Sequence, residues 1–186
     1  MLIDIASGLW IYTLVSISFG EVFHVTTLAL ALFFAFLPDL DIPIYLIWRK
    51  KMGWISHHLI HFPLIFIPIG ITICWFSEYI STLFFLGVTA HFVHDMATTP
   101  QGIRWIWPFS PTGWTLCYGK LRTISPKEQD QIFENVRQLI RQRHSNRGRS
   151  LIEEITCRLE KPTPGKLIYI SFSLLIFLLF LAHNAS

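Results

Sequence analysis

Five runs of apolar residues, separated by short polar breaks, dominate the pattern of this chain. They cover about residues 3–19, 22–37, 56–76, 79–95 and 167–182, and the third and fourth form a hairpin. Runs this apolar are typical of helices in lipid, although several fall short of the roughly 20 residues that cross a hydrocarbon core without strain. The pattern predicts an all-α fold, a polytopic membrane helical bundle of about four to five helices.

The run at 3–19 has the weakest membrane signal of the five. Its apolar character is diluted by five polar residues, Asp4, Ser7, Thr13, Ser16 and Ser18. We expect this segment either to span the bilayer or to lie in its interface, since short or polar segments can do either.

Residues 126–146 follow a different pattern, that of an amphipathic cytoplasmic helix. Ser125 is placed to cap its first turn, Pro126 suits the first helical position, and Glu128 is placed for a capping box. An apolar stripe and then a group of arginines follow, namely Ile132, Phe133, Val136, Leu139, Ile140, Arg141, Arg143, Arg147 and Arg149. Nucleic-acid binding is one interpretation, but a helix against anionic lipid or the rest of the protein is favoured.

These patterns divide the chain into three parts. Residues 1–110 form a membrane-embedded domain, 111–166 a basic cytoplasmic segment, and 167–186 a C-terminal transmembrane helix. The Pro-rich stretch at 161–166 reads as a hinge into the last span.

Composition strengthens the membrane assignment. Of the 186 residues, 52% are hydrophobic and the mean hydropathy is +0.48, which excludes an ordinary soluble domain of this size. The three cysteines lie far apart without a CxxC pair, so neither a disulfide framework nor a thiolate zinc site is indicated.

The distribution of basic residues predicts the orientation. All 15 Lys and Arg residues lie either at Arg49-Lys50-Lys51 or between 104 and 166. The positive-inside rule places both regions in the cytoplasm and the protein in the inner (cytoplasmic) membrane. The apolar helices then bring several Asp and His residues to one cytoplasmic boundary, whereas His24 lies about 22 Å from Asp39 along its helix.

The fourth apolar run ends in the polar sequence His91-Phe92-Val93-His94-Asp95-Met96. His91, His94 and Asp95 share one helix face because they are three and four residues apart. An imidazole and a carboxylate one turn apart can bind a single divalent cation, but a hydrogen-bonded His–Asp pair at a wet helix end explains the same spacing. His94 has the weakest claim to a functional role.

Two further groups fall at the same predicted boundary. His57, His58 and His61 have spacings that let two imidazoles share one metal ion on a helix, with headgroup anchoring as the alternative. Asp39 and Asp41 follow a Pro and sixteen uncharged residues, a costly position unless a cation or a histidine neutralises them, with a solvated capping loop as the alternative. This oxygen and nitrogen donor set suits Zn, Mn or Fe, and it is large enough for two metals.

The order of these motifs resembles the YdjM-like family of membrane-bound metal-dependent hydrolases. A short N-terminal hairpin ends in LPDLD, a histidine cluster follows, and HFVHDMATTPQG precedes a Trp-Pro. The family pattern has a PDxD motif, an H-R-G-x-T-H-type motif, and an HxxxD helix that leads to a Gly and an aromatic-Pro. The resemblance covers roughly residues 1–110.

Position by position, the resemblance assigns metal ligation to five motif positions. Asp39 and Asp41 fall on PDxD, His61 falls on the second histidine of the middle motif, and His91 and Asp95 fall on HxxxD.

This sequence departs from the family pattern at two places. The first histidine of the middle motif falls near Ser56, so His57 or His58 has to replace it, and the arginine is missing. The family also has a histidine near the start of the first span, where this chain has Asp4.

We therefore expect an integral membrane metal-dependent hydrolase that acts on a lipid phosphate or ester, with Zn or Mn as the expected metal. His57 and His58, as ligands or as proton-transfer groups, complete the predicted site. Trp105, Trp107 and Trp114 are placed to meet the headgroups. Membrane lipid is the expected partner and nucleic acid is not. The alternatives are a membrane metal transporter and a non-catalytic scaffold with a structural metal, and the oligomeric state stays open.

Overall fold

A computed structural model describes residues 2–40, 61–99, 102–117, 120–132, 135, 138 and 164–185. The helices in these ranges are α1 (Leu2–Phe19), α2 (Val25–Phe36), a 3-10 turn (Leu37–Leu40), α3 (Pro63–Cys74), α4 (Glu78–Thr98), α5 (126–132) and α6 (Pro164–Ala185). The strands are β1 (Gly113–Cys117) and β2 (Lys120–Ile124). The predicted fold class, a membrane helical bundle, is confirmed.

The helices differ in length more than the apolar pattern suggested. Three of them are long and apolar enough to span a membrane, namely α1, α4 and α6. By contrast, α2 and α3 have 12 residues each, about 18 Å, which is too short for a hydrocarbon core of about 30 Å. The weakest predicted span, 3–19, therefore forms a full-length helix, and the short helices occur where the runs 22–37 and 56–76 predicted longer ones.

Helix α4 lies at the centre of the bundle, against α1, α2 and α3. Glycines allow two of the close helix approaches. A Cβ on Gly8 of α1 would lie 2.9 Å from the side chain of Leu32, and one on Gly87 of α4 would lie 3.3 Å from that of Phe34. Close packing through small residues is typical of helices in lipid, where no hydrophobic force drives them together.

Side-chain contacts fix the direction of each helix. Ser16 near the end of α1 bonds to Tyr79 at the start of α4, and Asp4 at the start of α1 bonds to His94 near the end of α4. These two helices are therefore antiparallel.

Helix α6 runs parallel to α1. Ser7 bonds to Tyr169, and Tyr12 packs against Phe177 further along both helices. The starts of α1 and α6 and the end of α4 therefore lie at the same end of the bundle, which we call the site end.

Tyr12 forms hydrogen bonds with the backbone just before α2 begins. The buried Tyr12 hydroxyl accepts a hydrogen bond from the His24 amide at 2.9 Å and donates one to the His24 carbonyl at 3.3 Å. Backbone groups in lipid need internal partners because no water is there to supply them. This contact places the start of α2 beside Tyr12, before α1 ends.

The outer surface of the bundle is apolar. Large side chains on several helices are more than half exposed, among them Ile17, Val25, Ile73, Ile168 and Leu179. A surface of this kind is stable in contact with lipid rather than water.

A β-hairpin that the apolar pattern did not predict follows α4. Its strands are antiparallel, with Gly113 opposite Ile124 and Cys117 opposite Lys120. The buried Thr115 hydroxyl lies 3.1 Å from the carbonyl oxygens of both Met96 and Thr99. The Thr115 hydroxyl has one proton, so it donates to one of these two carbonyl oxygens at a time. The hairpin therefore offers a hydrogen-bond donor to the carbonyl groups at the end of α4.

The predicted capping box at the start of α5 is confirmed. Glu128 Oε2 accepts a hydrogen bond from the Ser125 amide at 3.0 Å, and Ser125 Oγ accepts one from the Glu128 amide at 3.3 Å. The hydrogen bonds that the Glu128 carboxylate accepts from the Ser125 amide and hydroxyl lower the pKa of Glu128. Of the predicted helix 126–146, only 126–132, 135 and 138 are described, and they are helical.

Candidate metal centre

His91 lies at the centre of the candidate site, buried on the inner face of α4. Its Nδ1 lies 2.9 Å from the Ala35 carbonyl oxygen near the end of α2. A carbonyl can only accept, so Nδ1 carries the proton, and in the neutral ring Nε2 is then an unprotonated nitrogen. His91 Nε2 is buried and makes no hydrogen bond within the described part of the chain.

Three other side chains surround His91 Nε2. Asp95 Oδ2 is 3.3 Å from this nitrogen and 3.5 Å from His61 Nε2. Asp39 Oδ1, on the 3-10 turn, is 3.7 Å from His91 Nε2. One donor atom each from Asp39, His61 and His91 lies within 4.8 Å of the other two, a group that could hold a metal ion.

These spacings fit a first-row divalent cation. Ligand atoms on a tetrahedral ion with bonds of about 2.0–2.1 Å lie about 3.3–3.4 Å apart. The two separations of Asp95 Oδ2 from His91 Nε2 and His61 Nε2, 3.3 and 3.5 Å, are close to this value, and Asp39 Oδ1 is slightly further from His91 Nε2, at 3.7 Å. The Ala35 carbonyl also fixes the His91 ring as metal-ligating histidines are usually fixed, by a backbone or carboxylate acceptor on the other nitrogen. Both the donors and their surroundings therefore suit a metal.

The site is closed on one side and open on the other. The His91 side chain is 1% exposed, whereas that of Asp39 is 39% exposed. Burial raises the pKa of Asp39, partly offset by His91. A cation in the cluster would stabilise the carboxylate form and would be reached from the side of Asp39.

Asp4 closes the inner side of the site. Its Oδ1 is 3.0 Å from His94 Nδ1 and 3.4 Å from His91 Nδ1. Asp4 therefore lies behind the His91 ring, on the side away from Asp39 and Asp95. The sequence signal for it was an acid in the first turn of an otherwise apolar helix.

The structure brings together four of the seven predicted ligands, namely Asp39, His61, His91 and Asp95. The other three, Asp41, His57 and His58, lie outside the described residues. His61 precedes α3, and residues 61 and 62 are not helical, so the expectation that its helix starts near residue 56 is wrong. His94 bonds to Asp4 and is not a member of the three-residue donor group.

Sequence reasoning missed the groups that hold the site. Ala35 gave no signal because its contribution is a carbonyl oxygen. The hairpin that carries Thr115 gave a weak signal, since two short stretches with strand-forming residues, Gly113–Cys117 and Lys120–Ile124, are separated in the sequence by a pair that ends in glycine.

An apolar helical bundle with a His/Asp cluster at one end defines an integral membrane protein with a candidate metal centre. The family model described as "YdjM inner membrane protein" matches residues 2–153, which is most of the chain. The protein therefore belongs to the YdjM inner membrane protein family, in agreement with the motif resemblance. No curated protein and no solved structure matches the chain.

Proposed function

We propose that this protein is a membrane-embedded metal-dependent hydrolase that acts on a lipid phosphate or ester. The observation that carries the proposal is the group of donor atoms from Asp39, His61 and His91 within 4.8 Å of one another. Asp95 Oδ2 adjoins this group, 3.3 Å from His91 Nε2 and 3.5 Å from His61 Nε2. A bound metal would supply a Lewis acid and lower the pKa of a coordinated water.

The residues divide this task by position. His91 and Asp95 hold the ion from the fixed face of α4, and His61 holds it from the segment before α3. Asp39 stands at the open side, where a substrate would approach. Asp41, His57 and His58 complete the proposed set, with His57 and His58 as the candidates for proton transfer.

The donor types support Zn or Mn as the metal. Two imidazoles and two carboxylates form a nitrogen and oxygen set without thiolates, which both ions accept. Asp41, His57 and His58 would supply donors for a second ion.

The placement of the basic residues supports a cytoplasmic site and a lipid substrate. In the sequence, Arg49-Lys50-Lys51 lie between Asp39 and His61, two members of the cluster. Most of the other basic residues follow α4 and precede α6 in the sequence, and the end of α4 and the start of α6 are both at the site end. By the positive-inside rule, the site then opens at the cytoplasmic leaflet. Phospholipid headgroups would lie at that depth.

Metal analysis of the purified full-length protein is the first test. We expect the wild type to hold a stoichiometric transition metal, and His61→Ala and Asp95→Ala to lose most of it. His24→Ala is a matched control because His24 precedes α2 on the opposite side from the site end. A metal-free wild type, or full metal content in both variants, would refute the proposal.

Activity is the second test. The protein is assayed against lipid phosphates and esters with and without a chelator, and we expect hydrolysis that the chelator abolishes and the metal restores. Metal uptake into vesicles without hydrolysis would instead indicate a transporter. A scaffold would keep its metal, show no hydrolysis and lose its function when residues 126–160 are deleted.

A further inference from the structure

An aromatic stack joins the segment before α3 to the loop after α4. The rings of Phe62 and Trp107 lie nearly parallel, at 15°, with centroids 4.1 Å apart. Phe62 is buried and directly follows His61 in the chain. The stack therefore lies one residue from a proposed metal ligand.

His61 needs such a support because it does not lie on a helix. Phe62 has an extended backbone (φ −110°, ψ 90°), and no side chain caps α3 at this position. Its carbonyl accepts the first hydrogen bonds of α3, from Ile65 and Phe66 at 3.0 and 2.9 Å. The packing of Phe62 therefore contributes to the position of His61, whose ring lies beside those of His91 and Phe92 on α4.

Trp107 is itself fixed to α4, which carries His91 and Asp95. Ile103 and Trp114 exchange two backbone hydrogen bonds of 2.8 Å, which attach the loop to the hairpin. The Trp105 indole donates to Met96 Sδ at 3.4 Å, which attaches the same loop to the end of α4.

From these contacts we infer that Trp107 is a positioning residue that holds His61 against His91 and Asp95 through its stack on Phe62. The inference rests on the proposed metal centre. Metal ligands have to arrive within a few tenths of an ångström of their ideal positions, so loss of the stack loosens one ligand while the other donors stay.

The test measures metal binding in the purified full-length protein in lipid nanodiscs. Zn²⁺ affinity is determined by competition with a chromophoric chelator, and the visible spectrum of bound Co²⁺ reports the ligand geometry. We expect Trp107→Ala to bind Zn²⁺ about 10- to 100-fold more weakly, as for other groups that orient metal ligands, and to alter the Co²⁺ spectrum.

Two further variants separate stacking from bulk. Trp107→Phe keeps a planar ring and is expected to restore the affinity and the spectrum. Trp107→Leu keeps apolar volume without the stack, and we expect it to show the same loss of Zn²⁺ affinity and the same change in the Co²⁺ spectrum. It therefore tests the stack even if Trp107→Ala folds poorly.

Trp10→Ala is the matched control. Trp10 is also half-buried and packs against an aromatic partner, Phe172, at 5.8 Å between α1 and α6. It is expected to keep wild-type metal affinity.

The possible results distinguish the positioning role of Trp107 from the proposed metal centre on which that role rests. Wild-type affinity and spectrum in Trp107→Ala and Trp107→Leu, or an equal loss in Trp10→Ala, would overturn the positioning role and leave the metal centre standing. A wild type that binds neither Zn²⁺ nor Co²⁺ would overturn both.

Discussion

At the scale of single residues, the two nitrogens of His91 face different surroundings. Nδ1 faces the Ala35 carbonyl and Asp4, while Nε2 faces the carboxylates of Asp39 and Asp95. This division gives one imidazole two roles, because the first nitrogen anchors the ring and the second stays available for a cation.

Gly102 shows how one backbone position supports the site. It has a φ of +66°, and a Cβ there would lie 2.6 Å from the Trp114 carbonyl oxygen. Only glycine tolerates both the left-handed conformation and this approach. Gly102 therefore lets the loop that carries Trp107 start against β1.

We predict that Gly102→Ala destabilises the protein more than Gly20→Ala. Both residues have a φ of +66°, but nothing lies within 4 Å of a Cβ on Gly20. Gly20→Ala should lower the free energy of unfolding by about 1–2 kcal/mol because of backbone strain. Gly102→Ala should lower it by about 1–3 kcal/mol more because of the clash with Trp114. Thermal unfolding in detergent measures both, and equal losses would show that the approach to Trp114 does not matter.

At the scale of the elements, the short α3 is held against α4 by a close contact. A Cβ on Gly70 would lie 1.8 Å from Cζ of Phe84, a buried side chain of α4. The contact lets Phe84 fill the space above the missing side chain. This packing places the start of α3, and with it His61, beside the end of α4.

Gly70→Ala is therefore expected to destabilise the protein by about 1–3 kcal/mol because Phe84 has to move within the core. Replacing Phe84 with Leu in the Gly70→Ala background should recover part of that loss. Gly165→Ala serves as the control, since nothing lies within 4 Å of its added methyl. The free energy of unfolding in mild detergent is the readout, and an unchanged value for Gly70→Ala would contradict the packing argument.

At the scale of the whole molecule, the arrangement of helices places the ends of the protein on opposite sides. The starts of α1 and α6 lie at the site end, and α6 is long enough to cross the membrane. If the site end is cytoplasmic, the C-terminus lies outside.

A reporter fused after Ser186 should therefore behave as an outward domain, and the same reporter inserted after Arg143, in the basic segment 111–166, as a cytoplasmic one. Alkaline phosphatase activity and fluorescent protein maturation give opposite signals for the two sides. A cytoplasmic signal from the C-terminal fusion would contradict the orientation that the basic residues predict.

Much of this arrangement followed from the sequence alone. Apolar runs specify membrane helices because lipid accepts them wherever the fold places them, and the Lys and Arg residues predict the orientation through charge. Asp39, His61, His91 and Asp95 were recognisable because donor side chains at apolar helix ends are costly without a partner.

Tertiary structure decided the remainder. The start of α2 is held beside α1 by the contact of Tyr12 with His24, and the hairpin is held at the end of α4 by Thr115. The fixed His91 ring depends on a carbonyl 56 residues away. Such contacts join residues far apart in the chain, so no local pattern encodes them, and they determine which donors of the sequence can meet at one ion.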